Sequence, residues 1–185
     1  MIGVQDLRKG ATYLEDNELW RVLEYAHIKT GRGNATIRLK VRNVRNGSTM
    51  EKTYPSGSRV QDVRLDHAEV QYLYNDGDLY YFMDLETNEQ PILSAAMLGD
   101  AVNFMTDGIT LELESYEGEP ISVELPTTVD LEVIQTDPGF AGDTATNATK
   151  PATVSTGYQV QVPLFVNIGD TIRIDTRTGA YVTRV

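Results

Sequence analysis

The chain reads as a mainly β protein built from small barrels, and three observations carry that reading. Apolar segments of strand length recur from end to end, with turn residues between them. Charge content changes sharply at Arg64, and Leu125-Pro126-Thr127-Thr128 breaks the pattern again before a new alternating strand begins. Segments of about 60 residues bury little surface, and closure into a barrel hides one sheet face while removing exposed edges. The expected domains are 1–64, 65–127 and 128–185. The same strands would also suit a single β-sandwich, but the change of composition favours separate barrels.

Taken in order, Leu19–Tyr25 is the first long strand. Ile37, Leu39 and Val41 alternate with Arg38, Lys40 and Arg42, so one face packs inward and three cations line the other. Asn46-Gly47 supplies the residues of a tight hairpin turn. Val70–Tyr74 and Leu79–Met83 flank a second turn, Asn75-Asp76-Gly77-Asp78. One helix is expected over Ser94–Met105, where Leu93, Met97, Leu98, Ala101, Val102 and Met105 share a face. Ile109, Leu111 and Leu113 then alternate with polar residues, and a Glu117-Gly118 turn leads into Ile121–Leu125. The last third repeats the theme in Val129–Val133, Val160–Val162 and Ile172–Ile174.

Charge is the most informative feature. Residues 1–64 hold twelve of the sixteen Lys and Arg against seven acids, a net of +5, whereas 65–185 hold four bases and twenty acids, a net of −16. No Lys or Arg occurs between Arg64 and Lys150. One end of the molecule is drawn to polyanions and the rest is repelled, which orients the chain on a nucleic-acid target. Within the basic end, Lys29-Thr30-Gly31-Arg32-Gly33-Asn34 joins two strands. Glycines on both sides of Arg32 leave no Cβ to crowd its approach, and a guanidinium can grip phosphate or stack on a base. The expected RNA-facing surface adds Arg38, Lys40, Arg42, Arg45, Lys52, Arg59 and Arg64. Trp20, Tyr25 and Tyr54 could stack on bases, and Trp20 and Tyr54 would be the platforms if the chain were a free-standing binder of single-stranded nucleic acid.

Other function classes find little support. The absence of cysteine excludes disulfides and thiolate metal sites, and the two histidines, His27 and His67, are too far apart in sequence to suggest a metal site. There is no phosphate-binding glycine loop, dinucleotide fingerprint or nucleophile elbow. Glu112 and Glu114 are expected on a hydrated outer face. We therefore expect no catalysis, no cofactor and no metal. The N-terminus lacks the pattern of a secretory signal and no apolar run approaches the ~20 residues of a membrane span, so a cytoplasmic monomer is expected.

Several motifs carry a resemblance to bacterial elongation factor P. They are Gly31-Arg32-Gly33, Phe82-Met83-Asp84, Gly142-Asp143-Thr144, Lys150-Pro151-Ala152-Thr153, Val162-Pro163-Leu164-Phe165-Val166, Gly169-Asp170-Thr171-Ile172 and Ile174-Asp175-Thr176-Arg177-Thr178-Gly179-Ala180-Tyr181. They span the full length in the family's order. The resemblance implies an SH3-like, KOW-type N-terminal barrel followed by two OB-fold barrels in an L-shaped, tRNA-like arrangement. It implies a factor of the 70S ribosome that sits between the peptidyl-tRNA and exit sites, contacts ribosomal RNA, relieves stalling at consecutive prolines and promotes the first peptide bond with initiator tRNA. On this resemblance Lys29, Gly31, Arg32, Gly33 and Asn34 contact peptidyl-tRNA. Gly142, Asp143, Thr144, Lys150, Tyr181 and Arg184 face the small subunit and exit-site codon. A common family pattern has Lys where Arg32 stands and Pro where Thr30 stands. Lysine-specific modifications, β-lysylation and hypusine, therefore have no amine at this tip. Rhamnosylated relatives place Asn directly after the arginine, whereas Gly33 intervenes here, so a modifying enzyme for Arg32 and an unmodified Arg32 both stay open.

Overall fold

The computed structural model describes residues 1–29, 31–139 and 148–185. Among the described residues the chain forms three sheets whose paired strands run antiparallel. The first comprises β1 (Ile2–Gly3), β2 (Thr12–Glu15), β3 (Glu18–Ile28), β4 (Thr36–Asn43), β5 (Thr49–Pro55) and β6 (Arg59–Asp62), in the order β1-β6-β2-β3-β4-β5. Its core gathers Val4, Leu7, Tyr13, Val22, Ile37, Leu39, Val41 and Val60. The alternation predicted for β4 holds, with Ile37, Leu39 and Val41 buried while Arg38 and Lys40 face solvent. The strand predicted over Leu19–Tyr25 is longer, because its ladder with β4 continues through His27↔Ile37 and Ile28↔Thr36. The β4–β5 connection is not a tight two-residue turn. It occupies residues 44–48, and the Asn43 Oδ1 accepts the backbone N–H groups of Arg45 at 2.9 Å and Asn46 at 3.2 Å.

The second sheet contains β7 (Asp66–Asn75), β8 (Leu79–Asp84), β9 (Ile92–Ser94), β10 (Thr110–Tyr116) and β11 (Glu119–Glu124), ordered β11-β10-β7-β8-β9. Glu117 at φ 49° and Gly118 at φ 81° are both left-handed, which matches a two-residue turn of the primed kind. The predicted helix does not run as one piece. Only α1 (Ala95–Leu98) is α-helical, and Gly99–Phe104 is a 3₁₀ segment. Gly99 sits at φ 58°, which a right-handed helix cannot accommodate.

The third sheet holds β12 (Thr128–Thr136), β13 (Thr149–Val154), β14 (Gln159–Pro163), β15 (Thr171–Asp175) and β16 (Tyr181–Arg184), ordered β14-β13-β12-β15-β16. Val129, Leu131 and Val133 point into its core with Val160, Val162, Ile172 and Ile174, and Phe104 joins them. The chain forms two compact units. One comprises Met1–His67 with Leu93–Leu98 and Glu114–Ser122, and the other Ala68–Ile92, Gly99–Leu113 and Val123–Val185. No helix among the described residues is long and apolar enough to cross a membrane.

Candidate nucleic-acid interface

β3 and β4 rise as a paired ladder to Ile28↔Thr36, and the chain then leaves the barrel. Lys29, Gly31, Arg32, Gly33 and Asn34 are all exposed, and Thr30 lies outside the described residues. Neither Lys29 nor Arg32 makes a hydrogen bond, ion pair or ring contact among the described residues. A Cβ added at Gly31 would meet nothing within 4 Å. The molecule's own packing therefore does not require glycine at that position. What glycine preserves there is a narrow tip.

The basic segment separates into free and occupied cations. Arg38 and Arg64 are exposed and make no hydrogen bond, ion pair or ring contact among the described residues. Arg59 donates only to the Met1 carbonyl at 2.8 Å. Lys40, by contrast, faces Glu24 at 3.8 Å and pairs in register with Glu51 on β5. Arg45 forms a two-pronged contact with Glu119 at 3.2 and 3.3 Å, and Arg42 donates to the Ala96 carbonyl at 2.5 Å. Several cations of the expected basic surface are thus committed within the fold, while those of the finger have no partner among the described residues.

Lys52 is the clearest departure from a free cation. Its stem is half-buried, its Nζ pairs with Glu15, and it sits 4.2 Å from the centre of the Trp20 ring. The Tyr54 hydroxyl donates to the same Glu15 Oε2 at 2.9 Å and lies 3.1 Å from the Tyr13 hydroxyl. Burial, opposed in part by that hydrogen bond, pushes the Tyr13 phenol up to about 12, and burial also raises Tyr54, with its bonds to Tyr13 and Glu15 adding to the effect. Trp20 is 8% exposed and packs in the barrel core. Tyr25 lies under the Arg8 guanidinium, 5.1 Å from ring centre to Cζ, with its hydroxyl on the Gln5 carbonyl at 3.1 Å. Trp20 and Tyr54 are therefore core and network residues rather than stacking platforms, which removes the basis for the free-standing single-strand binder.

Glu114 also departs from expectation. It is 9% exposed, and its Oε1 accepts from Ser122 Oγ at 2.7 Å and lies 3.1 Å from Arg21 Nη2. The local alternation with Glu112 contained no sign of this, because the partner Arg21 is remote in sequence.

On the C-terminal sheet, Lys150 is 6% exposed and its Nζ donates to the Asp137 carbonyl at 2.5 Å. It braces its own sheet and does not reach outward. Tyr181 is half-buried against the third core. Arg184 is exposed, 3.6 Å from Asp170, and its Cζ lies 5.0 Å above the exposed Phe165 ring. This pairing brings Arg184 of the terminal strand onto Phe165 of the Val162–Val166 motif, a contact the sequence alone does not show. Gly142, Asp143 and Thr144 lie outside the described residues.

Family models match three successive segments: "Elongation factor P (EF-P) KOW-like domain" over residues 3–60, "Elongation factor P (EF-P) OB domain" over 65–123, and "Elongation factor P, C-terminal" over 129–184. The chain is 49% identical over 185 residues to elongation factor P of Thermoanaerobacter sp. (strain X514), covering 100% of both chains. The chain belongs to the elongation factor P family. It is likewise 48% identical over 185 residues to elongation factor P of Pelotomaculum thermopropionicum, again covering 100% of both. Among solved structures, "Eukaryotic translation initiation factor 5A from Methanococcus jannaschii" matches at TM-score 0.50 and 22% identity, covering 64% of this chain and 88% of that one, a likeness of fold alone. As a member of the elongation factor P family, the protein is a three-domain β translation factor that acts with the ribosome and tRNA, and it is not an enzyme.

Proposed function

We propose that this factor binds the 70S ribosome between the peptidyl-tRNA and exit sites and uses Arg32 to hold the acceptor end of peptidyl-tRNA in a reactive position. The observation that carries this reading is Arg32, exposed and without a partner among the described residues, at the end of a two-stranded finger whose ladder runs to Ile28↔Thr36. The domains divide at 64/65 and 127/128, with the first delivering the finger. Lys29, Gly31, Arg32, Gly33 and Asn34 contact peptidyl-tRNA, both initiator and prolyl species, while Arg38 and Arg64 contact ribosomal RNA. Gly142, Asp143, Thr144, Tyr181 and Arg184 face the small subunit and exit-site codon, and Lys150 braces the sheet that carries Tyr181 and Arg184. The factor works as a cytoplasmic monomer, and Arg32 is accessible to a modifying enzyme.

The chemistry of joining consecutive prolines supports a positioning role. A proline amine is held by its ring, so attack on the peptidyl ester is limited by alignment, and orientation alone can lower that barrier. A hundredfold gain needs about 2.7 kcal/mol of preferential transition-state stabilisation. Arginine stays protonated at neutral pH, so Arg32 acts by contact and not as a base. Arg32→Ala is expected to slow peptide-bond formation on a polyproline template more than it weakens ribosome binding. Reconstituted translation with and without the variant measures this, and an unchanged rate overturns the proposal.

A further inference from the structure

Both strands of the finger are tied at their roots to later parts of the chain, within one compact unit. On β3, Arg21 Nη2 lies 3.1 Å from Glu114 Oε1, while its Nη1 donates to Ser122 Oγ at 3.2 Å and its Nε to Thr12 Oγ1 at 3.4 Å. At the end of β4, Arg42 donates to the Ala96 carbonyl at 2.5 Å. Just beyond it, Arg45 forks onto Glu119 at 3.2 and 3.3 Å and donates to the Asn17 carbonyl at 3.0 Å. Leu19, Val44 and Ile121 form a buried apolar cluster in the same unit. Glu114, Ser122, Glu119 and Ala96 among these acceptors come from β10, β11 and α1, while Thr12 and Asn17 belong to the first sheet and its β2–β3 turn.

Register makes the arrangement more than general packing. Arg21 and Arg42 are direct cross-strand partners, and like charges placed opposite each other on a ladder repel. Here each is drawn to a separate acceptor, Arg21 to Glu114 and Arg42 to the Ala96 carbonyl. From Arg21 the ladder runs to Ile28 with one register shift between Val22 and Glu24, a span of roughly 23 Å at about 3.3 Å per residue. A root tilt of about 5° moves a tip at that distance by ~2 Å, and a misplacement of about 1 Å can cost on the order of a hundredfold in rate.

We infer that Glu114 and Glu119 are positioning residues for Arg32, two acids from the otherwise base-free stretch that fix the direction of the cationic finger. This inference rests on the peptidyl-tRNA reading of Arg32 proposed above. It also gives those two carboxylates a task apart from repelling RNA.

The exposed fork offers the cleaner test. Glu119→Arg places two cations together, and the exchanged pair Arg45→Glu/Glu119→Arg rebuilds the contact with its polarity reversed. The chain has no cysteine, so Asn34→Cys and Asp66→Cys give a unique pair of spin-label sites on the full-length protein. Glu119→Arg is expected to broaden the distance distribution between the labels. In the unlabelled chain with Asn34 and Asp66 intact, Glu119→Arg is also expected to lower the maximal polyproline rate at saturating factor about tenfold, with less than twofold change in the half-saturating concentration. The exchanged pair restores both, which a loss of folded protein would not explain. Glu114→Gln is expected to move both readouts in the same direction. A sharp distance distribution or an unchanged maximal rate in Glu119→Arg overturns the positioning role. Arg32→Ala run in parallel separates the two ideas. If Arg32→Ala is inert, the finger's contact with peptidyl-tRNA falls, whereas slow Arg32→Ala beside unaffected Glu119→Arg removes only the positioning.

Discussion

Arg38 and Lys52 show how differently two strand cations can be used. Both stand in alternating strands of the same sheet, yet Arg38 is solvent-exposed and Lys52 lies against Trp20 with its charge on Glu15. The difference follows from phase. Lys52 pairs with Leu39 and Tyr54 with Ile37, so β5 turns its Lys52 and Tyr54 toward the core side. That phase is visible in the sequence as Met50, Lys52 and Tyr54 at alternate positions, whereas the total charge of the segment does not report it. Gly31 gives the opposite case, in which the sequence reading stands on its own. With open space where its Cβ would be, Gly31→Ala should leave stability within about 0.5 kcal/mol of the parent, as exposed substitutions usually do. Denaturant unfolding measures that value. If the tip enters the peptidyl-tRNA site as proposed, the same variant should slow polyproline rescue, because the added methyl meets nothing within the factor itself.

At the scale of elements, the strands were legible because alternation is a local property, while the helix and the ties between segments were not. Six apolar positions at helical spacing predicted one helix over Ser94–Met105, but a single left-handed residue, Gly99, divides it. Glu114 looked like a solvent-facing acid because no local pattern reports a partner as remote as Arg21. Removing its charge with Glu114→Gln leaves Arg21 partly buried without an ion partner, and breaking a buried pair in this way typically costs about 3 kcal/mol. Chemical denaturation is expected to register a loss of that order. The Tyr13–Tyr54–Glu15 network makes a separate prediction about pH. Both phenols are raised in the folded state, Tyr13 to about 12 from an ordinary value near 10. Their contribution is therefore complete below about pH 10 and is lost as pH climbs toward and beyond 12, when the unfolded chain releases its phenolic protons first. The melting temperature should stay flat to about pH 10 and then fall, and Tyr13→Phe should reduce the steepness of that fall. Thermal melts across the alkaline range measure both.

For the whole molecule, the sequence fixes the sign of the charge on each part but not how much of it is available to a partner. The net of +5 in residues 1–64 includes cations that already face carboxylates, such as Lys40, Arg45 and Lys52. Those left without partners among the described residues are few, and from the predicted interface they are Lys29, Arg32, Arg38 and Arg64. That separation changes an expected quantity. Six phosphate contacts would cost more than a thousandfold in affinity between 50 and 200 mM salt, whereas four cost about a hundredfold. Ribosome affinity measured across that range should fall by about two decades. Replacing Arg38 or Arg64 by Gln should lower the salt slope by close to one unit, since each removes a phosphate contact. Lys52→Gln should leave the slope nearly unchanged while destabilising the barrel, because its charge is spent on Glu15 and Trp20 and not on RNA. A slope that responds equally to Lys52 and Arg38 would mean that the internal ion pairs open on binding, and that the free cations alone do not define the interface.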